Sequence, residues 1–119
     1  MEKFTITLPL TGEYLTTVRL TTGGLCSLVG FDVDSAEDFK VCVTEGLLIF
    51  KRNGYQTARI EFSVGEALGC EITGEESVQA AESNMEDELS YALLSALLGT
   101  VEFIKDEQTG ALRKIVFEG

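Results

Sequence analysis

The chain has 119 residues, 45% of them apolar, with a single proline and a formal net charge of −11. This length and composition suit one domain, residues 1–119, with a real core, and they exclude intrinsic disorder. The acid excess excludes nucleic acid as a partner, because affinity for phosphates comes from Lys and Arg, and it disfavours an anionic membrane surface for the same reason.

No run of eighteen apolar residues could span a bilayer, and MEKFTITLPL lacks the basic start, long apolar stretch and small-residue cleavage site of a signal peptide. A cytoplasmic location with no membrane partner is therefore expected. Cys26, Cys42 and Cys70 are far apart and odd in number, and the sequence contains no histidine. They fit neither a disulfide framework nor a zinc site, and are expected as reduced, buried, small hydrophobes.

Lys3 to Leu8 alternates, with Phe4, Ile6 and Leu8 on one face, which predicts a half-buried strand that Pro9 stops or places at a sheet edge. Glu13 to Val29 is ambiguous. Its β-branched residues and Gly23-Gly24 favour strand or loop, whereas Leu15, Val18, Thr22, Leu25, Leu28 and Val29 keep the 3- or 4-residue spacing of a helix packed closely at its glycines. Asp34-Ser35-Ala36-Glu37 reads as a helix start, followed by Phe39, Val43, Leu47 and Phe50 on one face and Asn53-Gly54 as the stop.

Thr57 to Val64 and Ala67 to Thr73 predict a hairpin around Gly65-Glu66. Gly74 to Asn84 reads as a polar, acidic loop. Met85, Leu89, Leu93, Ala96 and Leu97 then repeat at helical spacing up to Gly99, so that Leu89, Leu93 and Leu97 are expected in the core. Val101 to Ile104 and Ala111 to Phe117, joined through KDEQTG, predict a last hairpin. The expected architecture is α+β, in the order β-α-α-β-β-α-β-β, a mainly antiparallel sheet with helices on one face.

The charge is unevenly spread. Between Ile60 and Ile104 there is no Lys or Arg, while acids stand at Glu61, Glu66, Glu71, Glu75, Glu76, Glu82, Glu86, Asp87, Glu88 and Glu102. The plain reading of Glu75 to Glu88 is a solvated loop and helix cap; the sharper one is an acidic docking surface for a basic partner.

EDFKVCVTEGLLIFKRNGY, residues 37–55, resembles the core helix of the anti-sigma-factor serine kinases, the RsbW and SpoIIAB type of the GHKL ATPase superfamily. EYLTTVRLTTGGLCSLVGF resembles their first helix, and DELSYALLSALLGTVEF their last helix running into its strand. The resemblance implies a two-layer α/β sandwich of the GHKL (Bergerat) type and decides the Glu13 to Val29 ambiguity in favour of helix.

It also implies a degenerate member. In that family a glutamate precedes a magnesium-binding asparagine by four residues, and here Glu45 holds the acid position but Ile49 the asparagine position. Isoleucine offers no oxygen to a hard cation. An adenine-reading aspartate is replaced by Gly74 in ITGEES, and a glycine-rich phosphate loop by Asp87, Glu88 and Ser90, whose carboxylates would repel phosphates or satisfy the same N–H groups. At about 4 Å and an effective dielectric near 20, each like-charge pair costs about 4 kcal/mol, so no cofactor is expected. For Glu45 the plain expectation is exposure in the vacated pocket, or a bond to a neighbouring hydroxyl such as that of Thr44.

The leading functional expectation is a non-catalytic regulatory protein that binds a protein partner, a sigma factor or an anti-sigma antagonist, and forms a homodimer. By resemblance the docking face lies on the first helix, at Leu15, Arg19 and Thr22, Arg19 being the only base between Lys3 and Lys40. The alternatives are a residual nucleotide-binding serine kinase acting through Glu45 and a purely structural dimerisation subunit, to which exposed apolar residues on the first helix would point.

Overall fold

Alternating apolar residues set the sheet, and 3.6-residue periodicity sets what covers it. The computed structural model describes residues 2–77, 85–98 and 100–119, of which 76, 77 and 85–87 by backbone alone. The elements are β1 (Glu2–Pro9), α1 (Gly12–Leu28), α2 (Val33–Arg52), β2 (Tyr55–Val64), β3 (Leu68–Ser77), α3 (Met85–Leu97), β4 (Val101–Lys105) and β5 (Leu112–Glu118). All strand pairs are antiparallel, in the spatial order β1-β2-β3-β5-β4. Among the described residues the result is an α+β fold of one five-stranded antiparallel sheet and three helices.

Register explains the core. Ile6, Ile60, Ile72, Ile115 and Phe103 stand opposite one another across all five strands, and Phe4, Phe62, Cys70, Phe117 and Val101 form the adjacent row. These rows face the helices, and burial grades along β1 from exposed Phe4 through half-buried Ile6 to buried Leu8. The opposite sheet face is polar, with Lys3–Glu61, Arg59–Glu75 and Lys114–Glu71 ion pairs at 3.3, 3.8 and 2.7 Å.

Helix α2 lies over the middle of the sheet, with α1 and α3 packed against it. Phe39, Val43, Leu47 and Phe50 are all buried, as their spacing indicates. Its cap differs from expectation: Asp32 rather than Asp34 accepts the Ser35 backbone N–H, at 2.7 Å, so the helix begins at Val33. Asn53 ends it, followed by Gly54 at φ +87°.

The close approach between layers is made on α2, at Gly46, where an added Cβ would lie 2.8 Å from Ile72 Cδ1. It is not made at the α1 glycines: Gly24 meets nothing within 4 Å, and Gly23 allows an ordinary 3.5 Å contact with Lys40. Segment 12–28 is helical despite its threonines, two of which turn their hydroxyls back into the helix. Thr21 Oγ1 donates to the Thr17 carbonyl and Thr22 Oγ1 to that of Val18.

Two further expectations fail. Gly74 is not in a loop, since β3 continues to Ser77; residues 78–84, the rest of that expected loop, lie outside the described residues, as does the expected stop at Gly99. Helix α3 is also turned from the expected phase. Leu94 and Leu98 face inward beside Ser90, whereas Leu89 is 66% exposed, Leu93 37% exposed and Leu97 half-buried. Polar Ser90 bonds to α2, and this selects the Ser90–Leu94–Leu98 face over the leucine stripe.

Candidate functional site

Glu45 sits on the side of α2 that meets α3. Its Oε2 accepts a hydrogen bond from Ser90 Oγ at 2.9 Å, and the same oxygen of Ser90 accepts from Arg52 Nη2 at 2.8 Å. A carboxylate, a hydroxyl and a guanidinium, two of them two turns apart on α2 and the third on α3, thus form one partly buried chain. The hydroxyl that holds Glu45 is Ser90, not Thr44, whose Oγ1 donates to the Lys40 carbonyl in its own helix. No local sequence pattern signals this pairing, because Ser90 lies 45 residues along the chain from Glu45.

Ile49, four residues after Glu45, is 0% exposed and belongs to the core cluster. No oxygen donor can therefore be offered from that position. Gly74 lies on β3 against Phe50 and Tyr55, where a Cβ would come within 2.7 Å of Tyr55 Cδ1 and 2.8 Å of Phe50 Cδ1. Those rings pack edge to face at 5.4 Å, and the Tyr55 hydroxyl donates to the Leu112 carbonyl at 2.6 Å. An aspartate at position 74 would have to displace two aromatic rings.

Glu88 is exposed on the first turn of α3, while the side chain of Asp87 lies outside the described residues. Among the described residues no group of three or more Cys, Asp and Glu side chains is placed to hold a metal ion. The three cysteines are free and buried. Burial first, then the charges of Asp38 and Glu45, push the Cys42 thiol up to about 12, and burial raises the Cys70 thiol well above its ordinary range. These sulfurs are packing groups, not nucleophiles.

The expected docking residues on α1 separate. Arg19 is exposed, Leu15 is half-buried against the core, and Thr22 is fully buried. Thr22 is thus corrected from a surface contact to a packing residue. Around Arg19 lies a groove of about 400 Å³ bounded by Thr16, Leu20, Gly23, Glu37 and Lys40. Glu37 accepts from Lys40 Nζ at 2.6 Å; that bond, the Lys40 charge and, more weakly, Arg19 hold its carboxyl below its ordinary range. Two cations against one carboxylate leave this groove positive in a strongly acidic chain. Leu20 and Leu28, 74% and 76% exposed, continue the same side of α1 with Gly24 between them.

No described helix is long and apolar enough to cross a membrane. No model of a known protein family matches the chain, and no curated protein sequence matches it.

Proposed function

We propose that this protein is a non-catalytic regulatory module that acts by binding another protein through the outer face of α1, as an anti-sigma factor of the GHKL fold that no longer handles ATP and magnesium. The supporting observation is the pairing of Glu45 with Ser90 and Arg52 beside a fully buried Ile49. The acid that would serve as a base is held by a neighbouring helix, and the position that would supply the metal's oxygen ligand supplies a packed hydrocarbon. The partner face is the positive groove at Arg19, continued by Leu20, and the partner class is a sigma factor, or an antagonist of such a regulator, presenting an acidic residue beside an apolar one.

Two measurements test this. Thermal unfolding with magnesium and ATP should show no shift, whereas a nucleotide at a hundred times its dissociation constant would stabilise the protein by about 2.7 kcal/mol; such a shift returns the reading to a residual serine kinase. Titration against purified sigma factors from the source cell should give a complex weakened at least tenfold by Arg19→Glu, and undiminished binding removes α1 from the interface.

The exposure of Leu20 and Leu28 favours a second reading, a dimerisation subunit using the same helix. Sedimentation equilibrium distinguishes the two. A dimer abolished by Leu20→Asp, without binding to any sigma factor, would replace the regulatory reading with the structural one.

A further inference from the structure

The outward stripe of α3 is unaccounted for by anything above. Leu89, Leu93 and Leu97 are spaced four residues apart, so they lie in a row along one side of the helix. The first is mostly exposed, the second partly, and the third reaches a cleft of about 430 Å³ between the end of α3 and the start of α2. Leu97, Leu98, Phe31 and Phe39 line the cleft together with Asp32, Ser35 and Asp38. An apolar row more than two turns long that runs into a cleft lined by apolar side chains and carboxylates has the shape of a seat for an amphipathic helix.

Charge says what kind of helix. Glu88 is exposed next to Leu89, Asp32 and Asp38 border the far end, and no Lys or Arg occurs anywhere from Ile60 to Ile104. Arg52, the cation that reaches α3 from α2, bonds Ser90 on the inner side. A second copy of this chain is disfavoured as the occupant, because joining two such faces would set acids against acids on molecules that each carry −11. Lysines and arginines flanking a leucine-rich stripe would meet carboxylates at both ends of the seat and cover the leucines between them.

We infer that the outer face of α3, from Leu89 to the cleft at Leu97, is a docking surface for a basic amphipathic helix of a partner protein. It is distinct from the positive groove on α1 and does not depend on the function proposed for that groove.

The probe is a fluorescein-labelled 18-residue peptide with leucines at helical i, i+3, i+4, i+7 spacing and lysines on the other face. Two controls accompany it: the same peptide with glutamate for lysine, and a lysine/serine peptide of equal charge without leucines. Fluorescence anisotropy should show the leucine/lysine peptide binding at least tenfold more tightly than either control. The double variant Leu89→Ser/Leu93→Ser should weaken it at least tenfold and Asp38→Asn about threefold, whereas Leu20→Ser/Leu28→Ser on α1 and Glu61→Gln/Glu71→Gln on the sheet should leave it unchanged.

Thermal unfolding of the α3 double variant should stay within a few degrees of the parent, since a large loss would mean that these leucines are core. Such a loss overturns the inference. So does equal binding by the lysine/serine peptide, which would reduce the effect to net charge, or equal weakening by the α1 variant. A dimer in sedimentation equilibrium that the α3 double variant dissolves would make the occupant a second copy and overturn it as well.

Discussion

Helices α1 and α3 flank the same central helix, yet they meet it in different ways. α1 buries Val18, Thr22, Leu25 and Cys26, and its one buried hydroxyl is satisfied within its own backbone. α3 buries Leu94 and Leu98 but fastens to α2 through Ser90, whose partners Glu45 and Arg52 both belong to the other helix. The first interface is apolar contact and the second a polar tie beside apolar contact. Both helices turn leucines to solvent, Leu20 and Leu28 on one and Leu89 and Leu93 on the other, but α1 sets them beside Arg19 and α3 beside Glu88. Hydrophobic spacing alone is thus a poor guide to which leucines point inward, and the charge beside the outward ones distinguishes the two flanks.

The largest expected contrast lies within α3. Leu94→Ala should lower stability by about 2–5 kcal/mol, whereas Leu89→Ala should stay within about 0.5 kcal/mol. Urea unfolding midpoints of the two variants measure this directly, and equal losses would break the assigned helix phase.

Next in size is an aspartate returned to position 74. Gly74→Asp forces a Cβ into the Phe50 and Tyr55 rings, so a loss of about 1–3 kcal/mol is expected, with no nucleotide binding gained. A folded Gly74→Asp variant that bound ATP would show that the second layer yields more readily than the packing indicates.

The polar tie should come next. Ser90→Ala removes the hydroxyl that Glu45 and Arg52 share in a partly buried site, at a cost of about 1–3 kcal/mol. Thr22→Val on α1, which removes a hydroxyl bonded only to a carbonyl of its own helix, should change stability by less than about 1 kcal/mol. Equal effects, by the same urea titration, would erase the difference between the two interfaces.

The smallest effect concerns pH. The Asp32 carboxyl is held below its ordinary value by the Ser35 backbone N–H and then by the Ser35 side chain. A depressed carboxyl stabilises the fold above its unfolded value, near pH 4, and that contribution disappears as pH falls through the lower folded value. The difference in unfolding midpoint between the parent and Asp32→Ala should be constant from pH 7 to 5 and shrink below pH 4. A difference that grew on acidification would reverse the sign.

Strands and the central helix were legible in the sequence because both of their faces report. Lys3 to Leu8 and Thr57 to Val64 alternate polar and apolar against a polar outer surface, and Phe39, Val43, Leu47 and Phe50 leave one solution for α2. The flanking helices were not legible to the same degree. In 13–29, local propensity opposed the helix. Around 85–97 two leucine rows competed, Leu89–Leu93–Leu97 and Leu94–Leu98, and a hydroxyl bond to Glu45 favours the second, which no apolar pattern records. At the site, the loss of an oxygen at Ile49 could be read from residue type alone, but the engagement of Glu45 could not, because Ser90 lies far along the chain. The burial of Thr22 agrees with its helical spacing beside Val18 and Leu25, and it was the family resemblance that made it a docking residue.

The sheet order carries a kinetic consequence. Strands β2 and β3, and likewise β4 and β5, are joined as chain neighbours, but β1 reaches its partner β2 only after both α1 and α2 have intervened. Closing so long a loop costs entropy that a short turn does not, so the amino-terminal strand should be stitched on late in refolding and loosen early in unfolding. Its amides would then exchange with deuterium ahead of those at Ile60, Ile72 and Ile115.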